Sequence, residues 1–422
     1  CKRHVQPLRE TAGFSKEGTR LDNEKNLSPS AGEKLWTAEF LGLSGANFFQ
    51  FMSQYILIVG LPIYIMDDMG GGELEAGMAM TFFQIGTVCC RPLAGRLIDS
   101  VHKGRLMLGA TLAFFAIMVA FCFAHTEEAL YGLRLLHGIQ FALGTTAAAT
   151  LAALVLPAAK KGTGIGYFAL STNLAMVVGP LVGLLVIRSF GTLAMFLCLA
   201  GSALLTVWLA NRRTLDAALV RPEKNKEGGA RFSLVERRAL PMAALGGLVF
   251  FAYGGVLTFI PLYARSIGLE ASVSLFFAVF ALVIVLTRPF VGRLFDKKGS
   301  DYTVYPGLAL FLAGFLLFGT ANSQALFLLS AAVLGAGFGA VSPAFQTLAV
   351  ASVPPARAGL ATATYFWALD ISVGLAAAFL GLVAARFGYD FLYGLLSPVV
   401  LLFAAAFYAL WRRQGKRGGS RI

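Results

Sequence analysis

RPLAGRLID, residues 91–99, and RPFVGRLFD, residues 288–296, share the pattern R-P-x-x-G-R-L-x-D at a separation of 197 residues. Both copies sit at the end of a segment too apolar for charge to be welcome. The surrounding composition says what that segment is. Of the 422 residues, 57% are hydrophobic and 14% charged, with a mean hydropathy of +0.72. A soluble chain carries about 25% charged residues. A bilayer-spanning helix needs about 20 consecutive apolar residues, and the chain holds many such runs. Lipid is therefore the solvent expected for most of it.

Apolar segments between short polar breaks give twelve predicted helices: 36–66, 74–98, 105–124, 128–157, 163–187, 192–211, 239–264, 271–295, 303–321, 324–353, 358–385 and 391–411. The longest break, 212–238, divides them six and six. The expected organisation is a cytoplasmic tail (1–35), a six-helix bundle (36–211), a cytoplasmic linker (212–238), a second bundle (239–411) and a short tail (412–422). The chain opens on Cys1, which reads as a trimmed start rather than a lipidated terminus, and residues 1–35 lack the apolar core of a signal peptide.

Basic loops are retained in the cytoplasm. With the amino terminus inside, 29 of the 35 Lys and Arg fall on the cytoplasmic side, against Arg188, Arg265 and Arg386 outside and Arg91, Arg134 and Arg288 within spans. Both termini are thus expected in the cytoplasm of a cell-membrane protein. The net charge of +13 is this bias and needs anionic lipid headgroups, not nucleic acid. The five cysteines form no disulfide framework or zinc pair, and the four histidines are scattered. No HExxH, G-x-S-x-G or Walker A pattern appears, so no enzyme, cofactor or metal is expected.

The 197-residue offset recurs in Gly138 and Gly335, Pro157 and Pro354, Phe190 and Phe387, and Gly191 and Gly388. LPIY (61–64) matches IPLY (260–263) at an offset of 199. Two six-helix halves of the same orientation pack about an axis along the membrane normal, with a substrate site between them near the midplane.

The chain resembles a twelve-helix transporter of the major facilitator superfamily over about residues 36–412. The family's loop signature, G-x-x-x-D-R/K-x-G-R, appears as Gly95, Asp99, Gly104 and Arg105 with two extra residues, and as Gly292, Asp296, Lys297 and Gly299 with Ser300 in the last place. The glycines let helices approach closely. Asp99 and Asp296 can hold neighbouring Arg side chains and a facing helix amino terminus, latching the bundles in one state. The alternative is that Arg96, Lys103 and Arg293 merely anchor loops to headgroups.

Positions where the halves differ point beyond architecture. Arg134 in the fourth span corresponds by the repeat to Ala331 in the tenth, so the fold does not demand a cation there, and an ionisable residue in a span is a functional hypothesis. R-x-x-x-G resembles the arginine motif of proton-coupled members, which implies a part in proton movement; a structural Arg reaching the outer headgroups is the alternative. Gly166, Gly179, Pro180 and Gly183 resemble the family's antiporter signature in the fifth helix, with Ala175 and Leu184 replacing two glycines. Its alternative is plain helix packing.

Asn173 pairs by offset with Asp370, a carboxylate placed near mid-membrane. Loss of water disfavours a carboxylate's charged form, which suits a proton carrier or cation site; a static pair with an Arg is the alternative, and Arg134 is the expected counterpart. Asn47, Gln50 and Gln54 share a helix face, and with Gln84, Asn173 and Trp367 they are expected to line a cavity or glue helices. Arg91 and Arg288 are the other two arginines expected within spans.

The function expected is export of a small molecule, drug or metabolite, in exchange for protons by a monomer in lipid. Proton-coupled uptake is the alternative. One deep Asp suits a cationic amphiphile, while the arginines suit a zwitterionic or anionic metabolite such as an opine-type metallophore, or a sugar.

Overall fold

The computed structural model describes residues 35–71, 73–211 and 233–417, and these form twelve long helices with no strand. The expected tail 1–35 lies outside the described residues except for Leu35, as do linker residues 212–232 and the last five residues. The helices are α1 (Ala38–Ile63), α2 (Glu73–Ser100), α3 (Lys103–Phe121), α4 (Glu127–Val155), α5 (Lys161–Phe190), α6 (Thr192–Asn211), α7 (Leu240–Ser266), α8 (Val273–Lys298), α9 (Asp301–Gly319), α10 (Gln324–Ala351), α11 (Ala358–Phe391) and α12 (Ser397–Arg417). By length and composition, ten segments can cross a membrane. In lipid every backbone polar group needs an internal partner, so helices answer this composition.

The duplication is visible in the local structure. Thr126 caps α4 by accepting from the Ala129 amide at 3.3 Å, and Ser323, 197 residues on, caps α10 by accepting from Leu326 at 3.4 Å. Gly191 and Gly388 both hold left-handed backbone, at φ 83° and 81°, where a side chain costs energy. The first breaks α5 from α6; the second kinks the helix after α11's membrane stretch. The two P-x-Y sequences do equivalent work. Tyr64 donates to the Ala124 carbonyl at 2.9 Å and Tyr263 to the Phe318 carbonyl at 2.7 Å, each tying a first helix to the end of a third.

Within the first six helices, α2 packs on α4 and α1 on α5; among the last six, α8 packs on α10 and α7 on α11. The sets meet through α2 against α11 and α5 against α8. Leu193, Leu197, Leu204 and Trp208 of α6 stay exposed, as lipid-facing residues would.

Gly179 and Gly183 seat α5 on α1: a side-chain carbon at Gly179 would lie 2.7 Å from Tyr55 Cβ, and one at Gly183 3.2 Å from Ile56. Pro180 lies inside the continuous α5. This part of the antiporter-like stretch is a packing face toward its own half. Gly166, two turns before Asn173, instead lies against the Arg288 side chain.

Candidate functional site

Arg91 on α2 and Asp370 on α11 form an ion pair across the interface between the two sets of helices, Nε to Oδ2 at 2.6 Å. The guanidinium also donates through Nη1 to Thr145 Oγ1 at 2.9 Å and Thr146 Oγ1 at 3.1 Å. Its plane lies 5.0 Å from the Phe366 ring and 5.8 Å from the Phe141 ring. A buried cation without such partners would be strongly unfavourable; here carboxylate, hydroxyls and ring faces all serve it.

This corrects the expected pairing of Asp370 with Arg134. Arg134 is fully buried within the first half, where it donates to Gln54 Oε1 at 3.1 Å and the Ala79 carbonyl at 3.3 Å, and meets His137 Nδ1 at 3.3 Å. The Phe83 ring lies 4.6 Å away. Among the described residues no carboxylate pairs with it. The two cations differ in reach: Arg91 lies where α2 meets α11, while Arg134 points between α4, α1 and α2.

A cavity of about 300 Å³ lies between the halves and is walled by Asn47, Gln54, Gln84, Arg91, Asn173, Arg288 and Asp370, with Phe250, Tyr253 and Phe338 among its apolar lining. Such a volume sits at the small end of ligand pockets. Asn47 is held by Ser171 Oγ at 2.8 Å and Thr172 Oγ1 at 2.9 Å. Gln84 Nε2 reaches the Asp370 carbonyl at 3.5 Å. Arg288 Nη1 donates to the Gly339 carbonyl at 2.9 Å.

Two expected lining residues are elsewhere. Gln50 accepts from Gln140 Nε2 at 3.2 Å inside the first half. A step of 100° per residue explains this: Gln54 falls within about 20° of Asn47 around the helix, whereas Gln50 is about 60° away and turns to α4. Trp367 faces a separate groove with Leu240, Phe403 and Phe407, being turned from Asp370 by a similar angle.

The two copies of the opening motif close one end of the interface by exchange. Asp99 accepts from the Gly359 and Leu360 amides, both at 2.8 Å. Asp296, 197 residues on, accepts from the Gly162 and Thr163 amides at 2.8 and 2.9 Å, and from the Thr163 hydroxyl. The donor amides are themselves 197 apart. Each carboxylate thus caps the first turn of a helix in the other half, satisfying amides without an intrahelical partner and facing the positive end of the helix. Gly95 and Gly292 make this approach feasible: a side-chain carbon at Gly292 would lie 2.6 Å from Thr163 Cα, and one at Gly95 would collide with Ala363. Arg105 and Lys297, expected to share in the contact, have exposed side chains.

Sequence reasoning missed Thr145, Thr146 and Phe366 as partners of Arg91. The repeat held a usable signal, since Arg91 and Asp370 occupy offset-related places to Arg288 and Asn173.

Comparison with known proteins agrees with this geometry. The family model of the Major Facilitator Superfamily matches residues 43–368 and 271–421. An uncharacterised MFS-type transporter of Burkholderia mallei (strain SAVP1) is 27% identical over 394 residues, covering 91% of this chain and 95% of the relative. The MFS-type transporter YhhS of Escherichia coli is 26% identical over 373 residues, covering 86% and 88%. Among solved structures, the human organic anion transporter MFSD10 superposes with a TM-score of 0.71 at 14% identity, covering 88% of this chain and 98% of that one. A bacterial homologue of the iron transporter ferroportin, in an outward-facing state, gives 0.72 at 14% identity, covering 90% and 100%. Two repeats of six helices, a shared cavity and a family match along most of the length lead to one conclusion: the chain belongs to the major facilitator superfamily.

Proposed function

We propose that this protein is a secondary active transporter that exports a small molecule across the cytoplasmic membrane in exchange for protons, as a monomer with both termini in the cytoplasm. The Arg91–Asp370 pair carries this reading. It is the one described ion pair that joins the two halves at the cavity wall. Residues 36–211 and 239–411 are the two bodies that rock about it, joined by linker 212–238.

Protonating the Asp370 carboxylate removes its negative charge, and Arg91 is then held only by Thr145, Thr146 and the rings. Losing that proton restores the pair. Proton occupancy therefore biases how closely α2 and α11 meet. At the end bearing Glu236, which accepts from Arg357 at 2.8 Å, the Asp99 and Asp296 contacts latch the halves. Their release would open the cavity on that side, which the basic-residue bias assigns to the cytoplasm.

The test is reconstitution in liposomes with a pH-sensitive dye inside, with substrates drawn from an efflux screen of cells lacking or overexpressing the protein. Substrate and proton fluxes of opposite direction support exchange. Fluxes in the same direction would replace it with proton-coupled uptake, and substrate movement without proton flux would remove Asp370 from coupling.

A further inference from the structure

The repeat gives Arg91 a counterpart, Arg288, and the two are treated differently. Each partner of Arg91 can be carried across the 197-residue offset. Asp370 becomes Asn173, Phe366 becomes Ala169, Thr146 becomes Pro343, Thr145 becomes Ser342, and Phe141 becomes Phe338. The first three exchanges strip the site: the counter-charge goes, a ring gives way to a methyl group, and a hydroxyl disappears. Asn173, Ala169, Ser342 and Phe338 all line the central cavity with Arg288. What locks Arg91 is thus replaced around Arg288 by groups that supply no counter-charge.

Arg288 is 3% exposed, and its Nη1 donates to the Gly339 carbonyl. Among the described residues its Nε has no partner, and neither has the buried Nδ2 of Asn173. Among the described residues no acidic group forms an ion pair with it. A buried cation and a buried amide, both with unspent N–H groups on one cavity, carry a cost that a ligand with acceptor oxygens and negative charge would relieve. Arg presents a planar fork suited to a carboxylate. The neighbouring aromatic wall, where Tyr253 stacks on Phe338 at 4.3 Å and Phe250 meets Phe338 at 5.2 Å, suits an apolar body. Asp370 offers no comparable welcome to a cation, because Arg91 already occupies its carboxylate.

We infer that Arg288, with Asn173, receives the carboxylate of the transported molecule, so that the substrate is a compact organic acid carried as its anion. The bound carboxylate takes the place that Asp370 holds in the other half. This rests on the transporter reading, with the central cavity as its substrate site, but not on proton coupling.

The internal test needs no ligand. In purified full-length protein at pH 8, N173D should raise the melting temperature by supplying the missing counter-ion, and should lower or not change it in an R288Q background. An equal shift in both backgrounds overturns the proposal. The external test compares benzoate, phenylacetate and 4-phenylbutyrate with their neutral amides as stabilisers of the same protein. At least one acid should stabilise it more than its amide does, with apparent affinity falling roughly tenfold or more in R288Q and N173D, the loss expected for one charged hydrogen bond. R288K should keep part of the effect, which a merely misfolded R288Q would not predict. Amides as effective as the acids, no acid acting at all, or stabilisation that survives R288Q would each overturn it. Neither assay uses a pH gradient, so failure of proton exchange leaves both readable.

Discussion

Arg91 Nε and Asp370 Oδ2 lie 2.6 Å apart across the boundary between the two halves, and the pair is unequal in its surroundings. Arg91 keeps two hydroxyl acceptors and two ring faces if the carboxylate is neutralised. Among the described residues, the Asp370 carboxylate has no side-chain partner other than Arg91. Neutralising Asp370 should therefore be tolerated by the fold, while deleting Arg91 should not.

That asymmetry sets the first prediction. D370N should retain folded protein and abolish pH-gradient-driven movement, while substrate exchange at equal pH continues. R91A leaves a half-buried carboxylate on the cavity wall unpaired and should cost at most about 3–5 kcal/mol, the usual penalty for removing one partner of a fully buried pair. R91A/D370N should recover much of that stability without recovering coupling. Thermal unfolding and dye-reported proton flux measure the two effects separately. Full proton-coupled transport by D370N would make the pair structural.

The second prediction concerns the exchanged caps. D99N and D296N keep the size of each side chain and remove the charge that faces a helix amino terminus. Each should weaken closure by about 1 kcal/mol, roughly fivefold in the open-to-closed ratio. The contacts share no residue, so the double variant should shift it roughly twenty-five-fold. The readout is alkylation of a cysteine placed at Ala169, on the cavity wall, by an impermeant maleimide in inside-out vesicles of protein lacking its own cysteines. Unchanged labelling in the double variant would leave the motif with no part in gating.

Gly292 separates sterics from charge at the same place. A side-chain carbon there meets Thr163 Cα at 2.6 Å, so G292A must push α8 off α5 and lengthen the Asp296 contacts. It should raise labelling at the Ala169 position as D296N does, though no charge has changed. Labelling at the parental rate would mean that α5 and α8 yield without opening the cavity.

Much of the fold was legible because glycines, prolines and charges that mark turns recur at a fixed offset, and no membrane helix can hide them. Asp99 and Asp296 were legible for the same reason. The partners of the buried charges were not. Which of Arg91, Arg134 and Arg288 meets Asp370 depends on the crossing of α2 and α11, and on rotations of a few tens of degrees that also removed Gln50 and Trp367 from the cavity. A pattern of polar residues on one helix fixes a face only to about a quarter of a turn. Asn47 and Gln54, about 20° apart, share the cavity wall, whereas Gln50, about 60° round and still within that margin, turns to α4.

The topology yields the third independent measurement. If basic residues mark the cytoplasm, Arg237, exposed beside the Glu236–Arg357 contact, faces inside, and Ser189, exposed next to the Gly191 turn, faces outside. In cysteine-free protein in intact cells, S189C should react with an impermeant maleimide and R237C only after permeabilisation. The reverse pattern would overturn the orientation and, with it, the assignment of the latch to the cytoplasmic side.

Arg134 poses the last question, since it is fully buried and pairs with no carboxylate among the described residues. Its guanidinium bridges α4 to Gln54 of α1 and to the Ala79 carbonyl of α2, and Gln54 reaches the cavity wall. The cation can therefore act on the site in two ways: through its charge, which disfavours further positive charge nearby, and through Gln54, which it orients. The substitutions differ in which they spare. R134K keeps the charge but loses the planar fork, so it should retain proton coupling in part while weakening substrate affinity through a freed Gln54. R134A loses both, and leaves the Gln54 Oε1 acceptor without its donor at about 1–3 kcal/mol. Q54A frees the cavity wall of its amide with the charge in place, and should change affinity while leaving the proton-to-substrate ratio as it was. Proton flux per substrate moved, followed in proteoliposomes across the three variants, separates the effects. Should Q54A alter the ratio as much as R134A does, Arg134 would act by holding Gln54 in position rather than through its charge.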